Sequence, residues 1–165
     1  MPRLAPLRRE DHPELEEHFK YVEQRLGFVP NSFLIMARNP AIVAGFSAMA
    51  QAVSAPGTVP AELKALVSHV ASRSAGCLYC MAHTAGTALS QSAPEEKVAD
   101  IWNYETSPHF SDAERAALRV AQLACQVPNG VSDADFDELK KHFSEEQIVE
   151  IVAVISMFGF LNPWN

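Results

Sequence analysis

Cys77 and Cys80 stand three residues apart in the run Ser74-Ala-Gly-Cys-Leu-Tyr-Cys-Met-Ala-His83, and His83 follows Cys80 at the same step. Two thiols at that spacing can pass between dithiol and disulfide, and a nearby imidazole can carry their protons. Gly76 permits a sharp turn just before the pair. The reading therefore places Cys77 at or near the N-cap of a helix and Cys80 in its first turn. Free amides and the helix dipole at that end favour a thiolate. Residues three apart share a helix face, so Cys77, Cys80 and His83 line up. A small local adjustment brings the Cβ atoms to the roughly 4 Å that a disulfide needs.

Other readings of a lone C-x-x-C are inert buried thiols and half of a zinc site. Zinc needs two further ligands. There is no second C-x-x-C, and Cys125 lies far along the chain in an apolar helical stretch. The glycine, the helix start and the in-phase histidine favour redox chemistry, with neither a metal nor a bound cofactor expected. His69 lies two turns before Cys77 and either faces the thiols or is a hydrogen-bonded core residue. Glu62, two turns earlier on the same face, makes a Glu–His–Cys relay geometrically conceivable. As a first-turn glutamate it also complements the helix dipole, and that reading is preferred. His12, His109 and His142 sit in polar surroundings and are expected at the surface, whereas Cys125 is expected in the core. Tyr79 and Trp102 either shape an apolar pocket or pack.

The elements that position these residues read as helices, because apolar residues recur at helical rather than alternating spacing. Asp11 to Leu26 forms an amphipathic helix with Leu15, Phe19, Val22 and Leu26 on one face. Ser32 to Ala37 and Ala41 to Val53 are two more. Ala61 to Ser74 is strongly apolar, and Cys80 to Ser90 follows the break at Gly76. Pro94 opens a short helix as its first residue. Ser111 and Glu114 form a capping-box pattern before DAERAALRVAQLACQV. Ser132 precedes a helix through Lys141. Ser144 begins the last helix, whose tail IVEIVAVISMFGFL is apolar nearly all round and reads as a central core helix or an oligomer contact. No strand is expected, so the fold class is an all-α bundle, read as a single domain over 1–165.

With 165 residues, 48% hydrophobic and 20% charged, the chain can bury a core without disulfide staples. A net charge of -7 and a pI near 5.3 argue against nucleic acid or an anionic membrane as the main partner. No apolar run reaches the roughly 18 residues of a membrane span, and the N-terminus lacks the apolar stretch of a secretory signal. The cytoplasm is the expected location, where three cysteines are not a disulfide framework. The chain ends at Trp164-Asn165 without a polar tail, which raises the expectation of further residues beyond it.

The motif Gly76-Cys77-Leu78-Tyr79-Cys80-Met81-Ala82-His83-Thr84, with ELKALVSHVASRSA before it, resembles the alkylhydroperoxidase D-like (AhpD-like) family of the carboxymuconolactone decarboxylase superfamily. Gly27-Phe-Val-Pro-Asn-Ser-Phe, Phe110-Ser-Asp-Ala-Glu-Arg-Ala-Ala-Leu and the closing FGFLNPWN are similar to segments of that group. The resemblance implies an all-α fold in homo-oligomers, trimers or hexamers. It implies reduction of a hydroperoxide substrate by the dithiol, recycled by a dithiol reductant such as a lipoyl protein or a thioredoxin-like donor. It also implies that Cys80 attacks and Cys77 resolves, although the helix dipole alone would favour Cys77. Two positions depart from the family pattern. The family histidine commonly stands one place later than His83, and the family glutamate falls where this chain has Ala65. Either Glu62 or His69 takes the glutamate's part, or the dithiol serves another reaction. Rival readings are a lactone decarboxylase-type enzyme of the same superfamily, a redox sensor or binding module using the same disulfide as a switch, and a zinc-binding structural protein.

Overall fold

The computed structural model describes residues 4–165. The chain divides into two compact units, residues 1–55 with Asn165, and residues 56–164.

The first unit begins with two short 3-10 turns, Arg9–Asp11 and Pro13–Leu15, before helix α1, Glu16–Leu26. The expected helix from Asp11 is therefore broken at its start. Pro13 lacks an amide and disfavours helical geometry at His12 before it. Arg9 ties this entry down by donating to Glu16 and Glu23 at 2.8 and 2.9 Å. Leu15, Phe19 and Val22 are buried as the spacing predicts. Gly27, in the left-handed region at φ 78°, ends α1. Helix α2, Asn31–Met36, and helix α3, Pro40–Ser54, follow. Phe33 and Phe46 pack edge to face across them, with ring centroids 5.5 Å apart.

The second unit is built around helix α4, Ala61–Ser74, which is buried continuously from Ala65 to Ser72. Helix α5, Leu78–Ser90, packs on it. Helix α6, Glu95–Ala99, is shorter than its sequence pattern, and a 3-10 turn at Ile101–Asn103 takes its place. Pro94 sits just outside α6 in extended conformation rather than as its first residue. Helix α7, Asp112–Ala124, and helix α9, Glu145–Leu161, also pack on α4, and helix α8, Asp133–His142, packs on α7. Ser111, Ser132 and Ser144 each close a capping box, with Glu114, Asp135 and Gln147. Such a cap is worth about 1 kcal/mol. The described residues contain no strand, so the fold is all-α.

The helix on which the others pack is α4, and α9, expected as a central core helix or an oligomer contact, packs on it with one face. α9 buries Ile148, Ile151, Val154, Ile155 and Met157, while Val149, Val152 and Phe160 face outward. Residues 145–164 form one helical stretch long and apolar enough to cross a membrane by length and composition alone. Cys125 is half-buried rather than core, because α7 stops at Ala124 and leaves it as the C-cap.

One carboxylate of α9, with Gln147 donating to the Thr58 carbonyl at 3.2 Å beside it, ties down the loop that leads into α4. Glu150 accepts from the Thr58 amide at 2.7 Å, the Thr58 hydroxyl at 2.8 Å and the Val59 amide at 3.4 Å. It also pairs with Lys64 at 2.7 Å. These donors hold its carboxyl down to about 2. Gly57 leaves the room, since a Cβ there would stand inside the Glu150 carboxylate.

Candidate redox site

The site begins where α4 ends. Gly76 adopts φ 72°. Its amide donates to the Arg73 carbonyl at 3.0 Å, and the Cys77 amide donates to the Ser72 carbonyl at 3.1 Å. These two bonds form a Schellman motif, which a glycine at that position closes without a Cβ clash. Cys77 is at once the last residue of that motif and the N-cap of α5. Its sulfur accepts from the Cys80 amide at 3.2 Å. α5 thus starts at Leu78 with Cys80 in its first turn, as the break at Gly76 and the cysteine spacing predict, and the Cys77 sulfur supplies the cap.

Cys77 and Cys80 are joined in a disulfide with Cα atoms 5.3 Å apart. Both are buried, while Leu78 and Tyr79 between them are exposed. The sulfurs therefore lie beneath an apolar rim. Arg73 sits over the Trp102 ring at 4.5 Å, so Trp102 packs against the last turn of α4.

Behind the pair, the buried His69 ring of α4 meets α5. Its Nδ1 lies 2.8 Å from Thr84 Oγ1. That hydroxyl in turn donates to the Cys80 carbonyl at 2.7 Å. Burial pushes the His69 imidazole below its ordinary value, and the Arg73 charge lowers it further, against an opposing hydrogen bond that the ring donates to the Met81 backbone carbonyl. His83 is one turn beyond Cys80, its ring parallel to that of Tyr79 with centroids 6.3 Å apart. Burial lowers His83 and raises the Tyr79 phenol. Both shifts favour the neutral form of the imidazole.

The structure brings Cys77, Cys80, His69 and His83 to the α4–α5 pair. It does not bring Glu62 into this group. Lys97 holds the Glu62 carboxylate at 3.1 Å and also pairs with Glu114, the capping-box residue of α7. His12 and His142 pair with Glu14 and Glu138 at 3.0 and 3.2 Å. Among the described residues no group of three or more histidine, cysteine or acidic side chains is arranged to hold a metal ion. Thr84 is the residue that sequence reasoning passed over. Its helical step from Cys80 was visible, but its meeting with His69 depends on how two helices cross.

The carboxymuconolactone decarboxylase family model matches residues 40–123, half of the chain and all of the site. The chain belongs to the carboxymuconolactone decarboxylase family. Its solved relatives include an alkylhydroperoxidase AhpD core, which agrees with the resemblance carried by the motif. It is 30% identical over 103 residues to the uncharacterized protein YnjA of Escherichia coli (strain K12), covering 62% of this chain and 57% of that one. It is 25% identical over 91 residues to the uncharacterized protein YdfG of Bacillus subtilis (strain 168), covering 54% of this chain and 60% of that one. The chain thus spans less than two thirds of the length of these curated relatives. Among solved structures, the debrominase Bmp8 in complex with 2,3,4-tribromopyrrole, as a cysteine-to-alanine variant, is 37% identical. It superposes with a TM-score of 0.93, covering 100% of this chain and 88% of that chain. An alkylhydroperoxidase AhpD core, described as an uncharacterized peroxidase-related protein from Ralstonia eutropha JMP134, is 25% identical. Its TM-score is 0.77, covering 91% of this chain and 80% of that chain. The family and these relatives make the chain a member of an enzyme family with a C-x-x-C pair in an all-α fold.

Proposed function

We propose that this family member is a dithiol oxidoreductase that delivers two electrons to a small electrophile and cycles between thiol and disulfide. The observation that carries this reading is the Cys77–Cys80 disulfide at the N-terminus of α5, with the imidazoles of His69 and His83 on the same helix pair, where burial disfavours their charged form. For a hydroperoxide, the Cys80 thiolate attacks one oxygen and breaks the O–O bond. The leaving alkoxide takes a proton, and Cys80 becomes a sulfenic acid. The Cys77 thiol then displaces water to form the disulfide. A dithiol donor, of lipoyl or thioredoxin-like chemistry, restores the pair by exchange and leaves as its own disulfide. His83 and His69 serve as the proton carriers, and Glu62 as a structural ion-pair partner.

A second substrate reading has a specific support, the full-length likeness to a debrominase. The parallel Tyr79 and His83 rings beside Cys80 suit a flat aromatic substrate. Here the Cys80 thiolate attacks the halogen of a ring protonated at that carbon. The ring keeps the proton, and Cys80 carries the halogen. Cys77 then attacks the Cys80 sulfur, expels halide and closes the disulfide. Both reactions consume one dithiol per substrate.

Pre-reduced protein mixed with an alkyl hydroperoxide, or with a bromopyrrole, separates these readings by single-turnover thiol loss. The expected result is loss of two thiols per substrate, abolished in Cys80→Ser. Unchanged thiol loss in Cys80→Ser, or no loss with either substrate, overturns the proposal.

The outward Val149, Val152 and Phe160 of α9 support a homo-oligomer, because contiguous exposed apolar surface is commonly covered by another subunit. A monomer by light scattering at micromolar concentration would count against it.

A further inference from the structure

We infer that Thr84 is a positioning residue that fixes His69 as the Nδ1–H tautomer, leaving Nε2 bare as the proton acceptor for the reduced Cys77–Cys80 pair. The inference rests on the dithiol reading above and concerns how the pair is deprotonated, whichever electrophile it meets.

A count of protons at Thr84 decides the tautomer of His69. A threonine hydroxyl has one proton and two acceptor sites. Thr84 Oγ1 lies 2.7 Å from the Cys80 carbonyl, which can only accept, so the proton of Thr84 goes there. The Met81 carbonyl, 3.3 Å from the same oxygen, is also an acceptor and competes for that same proton. Nothing is then left to donate to His69 Nδ1 at 2.8 Å. The close approach is a hydrogen bond only if Nδ1 carries hydrogen and donates to Thr84. A neutral imidazole has one N–H, so Nε2 holds a lone pair. The hydrogen bond on one ring nitrogen thus sets the chemistry of the other.

Burial makes this arrangement stiff. Thr84 is 1% exposed and His69 6% exposed. Water has little access to substitute for either partner, and a buried polar group left unpaired is costly. The chain of bonds runs from the backbone of Cys80 through Thr84 to His69, so the ring is referenced to the helix turn that carries the cysteine. When a dithiol donor opens the disulfide, the two thiols gain two protons. Returning Cys80 to a thiolate requires moving one of them to a base. Neutral His69, fixed by Thr84, supplies the lone pair. His83 is half-buried, with its ring parallel to that of Tyr79.

The test uses the full-length chain in three forms, wild type, Thr84→Val and Thr84→Ser, with His69→Gln for assignment. Long-range proton–nitrogen correlation spectra distinguish the tautomers directly. Wild type and Thr84→Ser should show the Nδ1–H pattern for His69, and Thr84→Val should lose it. After reduction, iodoacetamide alkylation of the pair at neutral pH should slow at least about tenfold in Thr84→Val and His69→Gln. It should recover in Thr84→Ser. An Nε2–H pattern in wild type overturns the inference without any variant. So does unchanged alkylation in Thr84→Val, or a Thr84→Ser variant as slow as Thr84→Val, which would make the methyl and not the hydroxyl the essential part. Alkylation needs no substrate, so a failed substrate panel with these results intact would count against the proposed reaction and not against the role of Thr84.

Discussion

The sulfur of Cys77 accepts a hydrogen bond from the backbone amide of Cys80 at 3.2 Å, so one atom both caps a helix and takes part in the redox couple. A serine hydroxyl caps a helix at least as well. Cys77→Ser should therefore keep the fold and lose only the resolving step. With an alkyl hydroperoxide, the variant should stop at a Cys80 sulfenic acid, trapped by dimedone and seen by intact mass. Disulfide-linked dimers or continued turnover with donor would show that Cys77 does not resolve. Cys77→Ala removes the cap as well, and should lower unfolding stability by about 1 kcal/mol more than the serine variant.

The turn before the pair carries its own prediction. Gly76 sits at φ 72°, and a Cβ there would meet nothing within 4 Å. The cost of Gly76→Ala is thus backbone strain alone, about 1–2 kcal/mol. Chemical denaturation should show that loss with an unchanged m-value. A loss near zero would mean that the two Schellman bonds do not depend on the left-handed turn.

The helices around the site were legible in the sequence, and the reasons are local. Gly76, the cysteine spacing and the apolar positions of Ala61 to Ser74 sufficed to place α4, the turn and the start of α5. The capping box at Ser111 and Glu114 was readable because it is a contact between residues three apart. Long-range partners were not readable. His69 meets Thr84 across fifteen residues, Glu62 is held by Lys97 across thirty-five, and Thr58 is anchored by Glu150 across ninety-two. None has a periodic signature, because each depends on how helices cross. The terminal helix stayed open between core and oligomer contact for a related reason. Its apolar composition could not say which of its faces the unit would cover.

Glu150 gives a pH-dependent prediction. Its carboxyl is lowered from 4.5 to about 2 by Lys64 first, then by the Thr58 amide. A carboxylate with a depressed folded value contributes stability that is fully present above the unfolded value of about 4.5. That contribution is lost as pH falls through the folded value. Glu150→Ala should be destabilised by about 1–3 kcal/mol at neutral pH. The gap to wild type should narrow from pH 4.5 toward pH 2, as followed by urea denaturation. A gap independent of pH would indicate packing and not charge. Gly57→Ala should mimic the loss, since its Cβ displaces the same carboxylate.

The two buried imidazoles act in the same direction as Glu150, but over a higher range of pH. His69 and His83 are both lowered by burial from 6.5. In the unfolded chain they take up protons as pH drops through that value, while the folded chain refuses them. Their contribution is therefore full above about pH 6.5 and is lost progressively as pH falls through the folded values. Unfolding free energy of the wild type should decline between pH 7.5 and pH 5. His69→Gln cannot titrate, so its decline over the same range should be shallower even if its stability at pH 7.5 is lower. The decisive quantity is the slope, which buried packing alone does not alter. Parallel slopes for wild type and His69→Gln would show that His69 is not held neutral, and would remove the base that Thr84 is proposed to position.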